Sequence, residues 1–227
     1  MPYAISGLVY PLLLHAPYVQ LYSRQVVKQA DIVLAMHWCG EAFTAEQKAR
    51  NVDYYEQRTV RDSSLSACTQ AVMCAEVGHL DLAHRYAREA ALVDLRDLHH
   101  NSGDGVHIAS LAGAWSALVA GFGGLRVQDG QLRIHPALPA GISRLSFRLR
   151  WHGQRLCVSV DHDELVLQAP DGAVHLTVDT DLVAVTPGES LRRPLRKRLP
   201  LLPAPQQPPG REPPPVETKL LSDPATA

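Results

Sequence analysis

Two short polar segments, each placed directly before an apolar stretch, carry residues that could bind an anion. The first contains Ser63 and Ser64, two adjacent hydroxyl groups before the apolar positions of a predicted helix. The second, residues 101–105, leads into His107 and the almost uniformly apolar stretch 106–119. The first turn of a helix has unpaired backbone N–H groups and the positive end of the helix dipole, which favour an anion. We therefore predict that these three side chains surround an anion site.

Both segments also have a purely structural interpretation. Asp and Ser are preferred N-cap residues, so Asp62 or Ser63 would serve as a cap without binding anything. The glycines at 103 and 105 would form a turn, and a lone His in an apolar segment is commonly a hydrogen-bonded core residue. A shared anion site is the better interpretation if the two helix starts lie on the same side of one layer.

A third polar pair, Lys28 and Gln29, interrupts the apolar pattern of the predicted helix 22–37. A Lys on a buried helix face is costly unless it is paired. We therefore expect one of the two residues to face a polar cavity. The alternative is an ion pair between Lys28 and Asp31.

Composition gives no support to several other functions. The 22 basic and 23 acidic residues nearly balance, so no overall field favours nucleic acid or an anionic membrane. The four cysteines have no metal-binding spacing and resemble buried thiols of a cytoplasmic protein, and the histidines at 99, 100 and 107 lack helical zinc spacing. The apolar run 8–14 is too short to span a membrane and lacks a basic leader, so we expect it to pack against protein. No metal and no organic cofactor are expected.

Apolar periodicity predicts five helices, near residues 22–37, 44–56, 63–77, 81–94 and 105–120. Thr44, followed by Gln47, is typical of an N-cap with a reciprocal partner. Apolar helices alternate with amphipathic ones, as a double layer of paired helices requires. The stretch 106–119 is apolar on every side, which predicts a buried helix.

After residue 124 the apolar period becomes two, which indicates strands. Asp129 and Gly130 form a tight hairpin signal, and the turn signals that follow predict an antiparallel sheet or sandwich of about six strands. From residue 188 a basic run and a proline-rich stretch predict a disordered, solvated tail; a segment that binds an anionic or polyproline-recognising partner is the alternative.

Three segments carry a resemblance to a known family: VVKQADIVLA (26–35), DYYEQRTVRDSSLSACTQAV (53–72), and NSGDGVHIASLAGAW through GFGG (101–124). In this order and at this spacing they resemble the C-terminal part of glycoside hydrolase family 65. That family includes maltose, kojibiose and trehalose phosphorylases and some α-glucoside hydrolases. The resemblance covers residues 11–190.

The resemblance implies an α+β multidomain chain. Residues 1–123 would be the C-terminal helices of an (α/α)6 barrel, residues 124–187 an antiparallel β-sandwich domain, and residues 188–227 the disordered Pro/Arg-rich tail. It also implies that Lys28 and Gln29 contact the glucosyl substrate. Ser63, Ser64 and His107 would surround inorganic phosphate, which is a co-substrate.

The implied reaction is inverting phosphorolysis. Phosphate attacks the anomeric carbon of an α-linked glucose disaccharide while a glutamic acid protonates the leaving oxygen. No residue here matches that glutamic acid, so we predict no catalytic residue and a fragment that is inactive alone. The resemblance allows association with the missing N-terminal part of the barrel, or a homodimer.

Two other functions stay open. A hydrolase of the same family would need a carboxylate base to activate water, and none stands out beside the predicted helix starts. The other alternative is a non-catalytic truncated protein, or a module that binds carbohydrate or a protein partner.

Overall fold

The first part of the chain is helical. The structure is a computed structural model that describes residues 11–216. Its α-helices are α1 (Leu12–His15), α2 (Tyr18–Tyr22), α3 (Asp31–Trp38), α4 (Ala45–Glu56), α5 (Ser66–Glu76), α6 (Leu80–Leu92) and α7 (Ile108–Ser116). Short 3-10 turns occupy Gly40–Ala42 and Ser102–Asp104, and a π-helical segment, Ala117–Phe122, extends α7.

Buried and amphipathic helices alternate, as the sequence predicts. Nearly every residue of α5 is buried, whereas α6 buries one face, with Ala83, Tyr86 and Ala90, and leaves the opposite face to solvent. The outer helix α4 begins with a complete capping box: Thr44 accepts from the backbone N–H of Gln47, whose side chain accepts from the N–H of Thr44. The predicted cap is confirmed.

Helices α5 and α7 are in close contact and run in the same direction. A Cβ at Gly113 would lie 2.4 Å from the Cβ and Sγ of Cys68, and further along, a Cβ at Gly121 would meet the Cα of Val72 at 3.4 Å. Residue numbers therefore rise together along both helices. Consequently their N-terminal ends lie on the same side of the layer.

Helix α3 starts beside α5 and leaves in the same direction. A cavity of about 50 Å³ between them is lined by residues from 29–34 on one side and 65–70 on the other. The segments before the two helices also run side by side, because Val27 and Thr59 form a parallel β-bridge. The three helices α3, α5 and α7 thus begin on one side of the molecule.

Two predictions about the helices are wrong. Lys28 and Gln29 lie in the non-helical segment before α3, because the helix begins only at Asp31. The helix at 106–119 is not buried on all sides: Ile108 is 67% exposed and Trp115 60% exposed, so one apolar face of α7 is open. In the apolar run near the N-terminus, Leu12 is buried; residues before 11 lie outside the described part of the chain.

The strands form two four-stranded sheets that contribute to one core with the helices. One sheet has the order β1-β2-β6-β7, with β2 and β6 parallel, and the other the order β3-β4-β5-β8, fully antiparallel. The strands are β1 (Leu125–Gln128), β2 (Gln131–Ile134), β3 (Arg144–Trp151), β4 (Gln154–Asp161), β5 (Glu164–Gln168), β6 (Val174–Val178), β7 (Asp181–Val185) and β8 (Ser190–Pro194).

The predicted disordered tail is ordered as far as residue 216. Strand β8 lies within it and pairs with β5, so the sheet unit extends past residue 187. Residues 195–216, which we call the C-terminal strap, pass over the turn between α5 and α6, where a Cβ at Gly78 would lie 2.8 Å from the backbone nitrogen of Pro200. A proline-rich segment cannot form a hydrophobic core by itself. The strap is instead ordered by packing on the rest of the chain, where Pro205, Pro208 and Pro213 are buried.

The contact between α5 and α7 gives a testable prediction. Gly113→Ala should lower the free energy of unfolding by about 1–3 kcal/mol, because the new methyl group overlaps Cys68 and the helices must separate. Urea unfolding followed by tryptophan fluorescence measures the change.

The matched control is Gly103→Ala, where the added methyl meets no atom within 4 Å and the stability should change by less than about 0.5 kcal/mol. Equal stability of the Gly113→Ala protein and the parent would contradict the close packing.

Candidate functional site

The candidate site consists of the starts of α3, α5 and α7. None of these helices has a side-chain N-cap: their N-cap residues are Ala30, Leu65 and His107. Of the two outer helices, α4 has the capping box described above, whereas α6, with His79 at its N-cap, also lacks a side-chain cap. Helix starts without a side-chain cap keep backbone donors and the positive end of the dipole available to a ligand. The common direction of the three helices brings these ends to one side.

Gln29 and Ser63 are hydrogen-bonded to each other across the first two helix starts. The hydroxyl of Ser63 donates to Oε1 of Gln29 at 2.8 Å, and the Nε2 group of Gln29 donates to Asp31 at 3.3 Å. The hydroxyl of Ser66 donates to the backbone carbonyl of Lys28 at 3.4 Å. The two pairs that the sequence singled out separately therefore form one connected group.

Ser64 and Lys28 are the polar side chains at these starts whose donors are not engaged by the described residues. Neither the hydroxyl of Ser64 nor the ammonium of Lys28 has a hydrogen bond or ion pair within residues 11–216, and Ser64 is half-buried. Asp31 accepts from Gln29, and the alternative interpretation, an ion pair between Lys28 and Asp31, is not observed. A hydroxyl and a cation are thus available to an incoming anion.

Helix α7 begins at a His–carboxylate pair. Nδ1 of His107 lies 2.5 Å from Oδ1 of Asp94, and the backbone N–H of His107 donates to Oδ2 of the same carboxylate at 2.8 Å. These hydrogen bonds hold the pKa of Asp94 below its ordinary value. A carboxylate at Nδ1 places that nitrogen's proton toward Asp94 and leaves Nε2 as the ring atom that can meet a ligand.

A second histidine, His99, lies next to His107. The ring centroid of His99 lies 5.9 Å from that of His107. Burial, and after it the charge of His107, lowers the pKa of His99. Within residues 11–216 no cluster of three or more His, Cys, Asp or Glu side chains is placed to hold a metal ion.

Asp62 does not cap α5, although the sequence suggested it as a cap. Its buried carboxylate accepts from the backbone N–H of Leu13 at 3.0 Å and lies 3.5 Å from the guanidinium of Arg211 in the C-terminal strap. The cap prediction for Ser63 holds only in part: its Oγ is 3.4 Å from the N–H of Leu65, but the helix proper has no side-chain cap.

A larger cavity with charged walls lies elsewhere. It measures about 430 Å³ and is lined by α4, the end of α5, β1, β2 and the start of the strap. Two of its cations, Lys48 and Arg126, are both ion-paired with Glu76. These two cations are therefore committed to the contact between helices and sheet.

Sequence reasoning missed Asp94 and Arg211 as residues that hold the site. Asp94 is thirteen positions before His107, beyond the helical spacing searched for carboxylates. Arg211 is 149 positions after Asp62, in a segment whose composition predicted disorder. The one sequence signal that could have placed Asp94 near α7 is the polar turn segment 101–105, which connects α6 to α7.

Comparison with known families gives two matches along the chain. A model described as the glycosyl hydrolase family 65 central catalytic domain matches residues 3–116. A second, described as the glycosyl hydrolase family 65 C-terminal domain, matches residues 125–183. The residues between the two matches, 117–124, contain the π-helical segment, after which the helices give way to β1.

Curated relatives align with most of this chain. An uncharacterized glycosyl hydrolase of Mycobacterium tuberculosis is 64% identical over 214 residues, which are 92% of this chain and 27% of that protein. The α,α-trehalose phosphorylase of Thermoanaerobacter brockii is 40% identical over 163 residues, 72% of this chain and 21% of that protein. The chain thus spans about a quarter of the length of these relatives.

A solved structure has the same fold over most of the chain. It is a protein from the human microbiome assigned provisionally as a kojibiose phosphorylase, with a TM-score of 0.76 and 27% identity. The match covers 82% of this chain and 27% of that one. Of the helices in residues 11–216, none has the length and apolar character that crossing a bilayer requires.

The pair of His107 and Asp94 gives a second testable prediction. In the parent, ¹⁵N NMR should place the ring proton of His107 on Nδ1, the nitrogen that faces Asp94. Asp94→Asn should shift the neutral ring toward the Nε2–H form, because an amide accepts more weakly than a carboxylate. Because the pKa of Asp94 is lowered in the folded state, its stabilising effect is present above the ordinary carboxylate pKa and lost as pH falls through the lowered value.

The stability difference between parent and Asp94→Asn should therefore shrink below about pH 4. Asp97→Asn is the matched control for the ring tautomer, since Asp97 accepts from Ser102 and does not contact His107. An Nε2–H ring in the parent, or an identical ring in parent and Asp94→Asn, would refute the assignment.

Proposed function

The chain belongs to glycoside hydrolase family 65, and from this premise we propose that it forms the C-terminal part of the catalytic unit of an inverting α-glucoside phosphorylase. The observation that carries the proposal is the meeting of three same-direction helix starts that lack side-chain caps, together with the open donors of Ser64 and Lys28. These features suit inorganic phosphate, a compact dianion near neutral pH.

We propose that Ser64 and His107 contact the phosphate directly. The hydroxyl of Ser63 is already given to Gln29, so Ser63 contributes mainly by holding that amide. Asp94 holds the ring of His107 through Nδ1, which leaves Nε2 for a hydrogen bond with the phosphate. Each helix start adds the attraction of its dipole, about 0.3–1 kcal/mol where exposed.

Lys28 and Gln29 are the proposed contacts to the glucosyl unit. They lie directly before α3, and the bond between Gln29 and Ser63 places the sugar contacts beside the phosphate contacts. Phosphate and the anomeric carbon must be adjacent for direct attack. In that step an oxygen of phosphate bonds to the anomeric carbon as the glycosidic C–O bond breaks, and the leaving oxygen takes a proton from a general acid on another part of the barrel.

The carboxylates near the helix starts favour phosphate over water as the nucleophile. An inverting hydrolase needs a free carboxylate to take a proton from water. Asp62 is held by Leu13 and Arg211, and Asp94 is held by His107. The lone pairs of these two carboxylates are therefore committed, and a hydrolase would have to use an exposed carboxylate such as Asp31 or Asp104 instead.

The exposed apolar face of α7 supports the larger barrel. Ile108, Leu111 and Trp115 follow the i, i+3, i+7 pattern of one helix face and are all exposed. Exposed apolar stripes of this kind mark surfaces that contact other protein. We propose that the preceding helices of an (α/α)6 barrel cover this face in the whole catalytic unit.

The relatives point to the same class of substrate. The proteins named trehalose phosphorylase and kojibiose phosphorylase are 33–43% identical to this chain over their aligned segments. We propose that the substrates are inorganic phosphate and a disaccharide with an α-linked glucose. The mycobacterial relatives carry only the name glycosyl hydrolase, which makes hydrolysis the second candidate.

The proposed phosphate site predicts the effect of removing one hydroxyl. Ser64→Ala should weaken binding of inorganic phosphate to the full 227-residue chain about ten-fold, because a hydrogen bond to a charged group is lost. Calorimetric titration measures the dissociation constant.

Ser116→Ala, on the distant part of α7, is the matched control, because its hydroxyl donates to a backbone carbonyl within the helix. Phosphate should bind that variant as it binds the parent. Undiminished affinity in Ser64→Ala would remove Ser64 from the site.

The choice of nucleophile predicts the products of the complete catalytic unit. With maltose, kojibiose or trehalose as substrate, cleavage should require phosphate and release β-glucose 1-phosphate, since inversion converts an α-linkage into a β-phosphate. Product analysis by NMR with and without phosphate distinguishes the mechanisms. Phosphate-independent release of free glucose would favour the hydrolase, and no cleavage would favour a non-catalytic role.

A further inference from the structure

The C-terminal strap ends against the loop that precedes the candidate phosphate ligands. The guanidinium of Arg211 donates to the backbone carbonyls of Val60 and Arg61, the latter at 2.9 Å, and lies 3.5 Å from the carboxylate of Asp62. One side chain thus contacts three consecutive residues. The next residue along the chain is Ser63.

The contact is reciprocal. The guanidinium of Arg61 donates to the backbone carbonyl of Arg211 and pairs with Glu89 of α6 at 2.5 Å. Each arginine therefore donates to the carbonyl of the other. Arg61 itself is buried and lies 5.1 Å from the ring of Tyr86, so the loop is attached to α6 as well as to the strap.

The backbone of this loop needs such support. Arg61 has φ of 55°, a left-handed conformation that is unfavourable for a residue other than glycine. Strained backbone of this kind persists only where surrounding contacts determine it. The conformation at Arg61 sets the direction in which the chain proceeds to Ser63 and Ser64.

The C-terminal strap lies outside the two segments that match the family models. The C-terminal family model matches residues 125–183, and the strap follows at 195–216. The strap starts at the other end of α5, where Arg198 donates to the carbonyls of Ala75 and His135 at 3.0 and 2.5 Å. It then runs back along the helices, passing Glu56, which accepts from Gln207 at 3.0 Å.

We propose that Arg211 of the C-terminal strap is a positioning residue for phosphate binding: it fixes the loop 60–62 so that Ser63 and Ser64 face the ligand. The inference rests on the proposed phosphate site. Arg211 does not contact phosphate; it acts through the loop. The strap is accordingly a functional part of the site and not an appendage to the sheets.

The test compares substitutions at the two ends of the strap in the full 227-residue chain. Arg211→Ala removes the contacts to the loop, and Arg198→Ala removes two carbonyl contacts of similar kind at the opposite end of α5. Both should lower the melting temperature. Only Arg211→Ala should raise the dissociation constant of inorganic phosphate, about ten-fold, with faster amide hydrogen exchange in residues 60–66.

Arg211→Lys separates geometry from charge. An ammonium can keep the pair with Asp62 but lacks the planar fork that reaches two carbonyls at once. We expect its phosphate affinity to lie between that of the parent and that of Arg211→Ala. A merely stabilising arginine would instead give affinities that follow the melting temperatures of all three variants, Arg198→Ala included.

Each outcome has a distinct meaning. Phosphate binding by the parent with equal affinity in Arg211→Ala would overturn the positioning role and leave the proposed function intact. Equal weakening in Arg198→Ala and Arg211→Ala would also overturn it, since the effect would then follow general stability. No phosphate binding by the parent would overturn the proposed phosphate site itself and, with it, this inference.

Discussion

The close contact between α5 and α7 is the constraint on which the candidate site depends. Gly113 and Gly121 let the two backbones approach along their length, and a side chain at Gly113 would overlap Cys68. Small residues at a helix contact fix both the separation and the direction of the pair. Because the helices run in the same direction, their positive ends meet on one side, and the segments that contain Ser64 and His107 are brought there with them. The site is a consequence of this packing.

A buried carboxylate links the outer helices and the strap to that arrangement. Glu56, at the end of α4, is 3% exposed and accepts from Gln70 and Tyr86 at 2.6 Å and from Gln207 at 3.0 Å. Burial raises the pKa of Glu56, and the three donors oppose that rise by stabilising the charged form. A buried carboxylate is tolerated only when its lone pairs are satisfied. Four elements distant in sequence are therefore joined at one group.

Features that depend on neighbouring residues along the chain could be predicted from the sequence. The capping box of Thr44 and Gln47, the hairpin at Asp129 and Gly130, and the alternating exposure of β3 all depend on neighbours along the chain, and all are confirmed. The family resemblance is confirmed as well. Two of the eight strands, β7 and β8, were missed, and β6 joins the sheet of β2 instead of continuing a meander.

The failures share a physical cause, which is dependence on partners distant in sequence. Proline-rich composition predicted disorder because the strap has no core of its own, yet it is ordered by contacts to helices that begin some 150 positions earlier. The apolar stretch of α7 predicted burial on all sides, because composition does not say which partner is present. The roles of Lys28, Gln29, Ser63, Ser64 and His107 stay predictions, since their placement is consistent with ligand binding but no ligand contact tests it.

The distribution of covered and open surface fits a site built for assembly. The strap crosses the outer side of the helices and satisfies buried groups such as Asp62 and Glu56. The side of α7 that carries Ile108 and Trp115 is open. The buried carboxylates thus find their polar partners within this chain. Residues 11–216, by contrast, contain no apolar surface that covers the exposed face of α7. A sugar-binding cleft needs walls on both sides. Under the proposed function, the phosphate contacts would be organised by these residues, and the protein that covers α7 would supply the other wall.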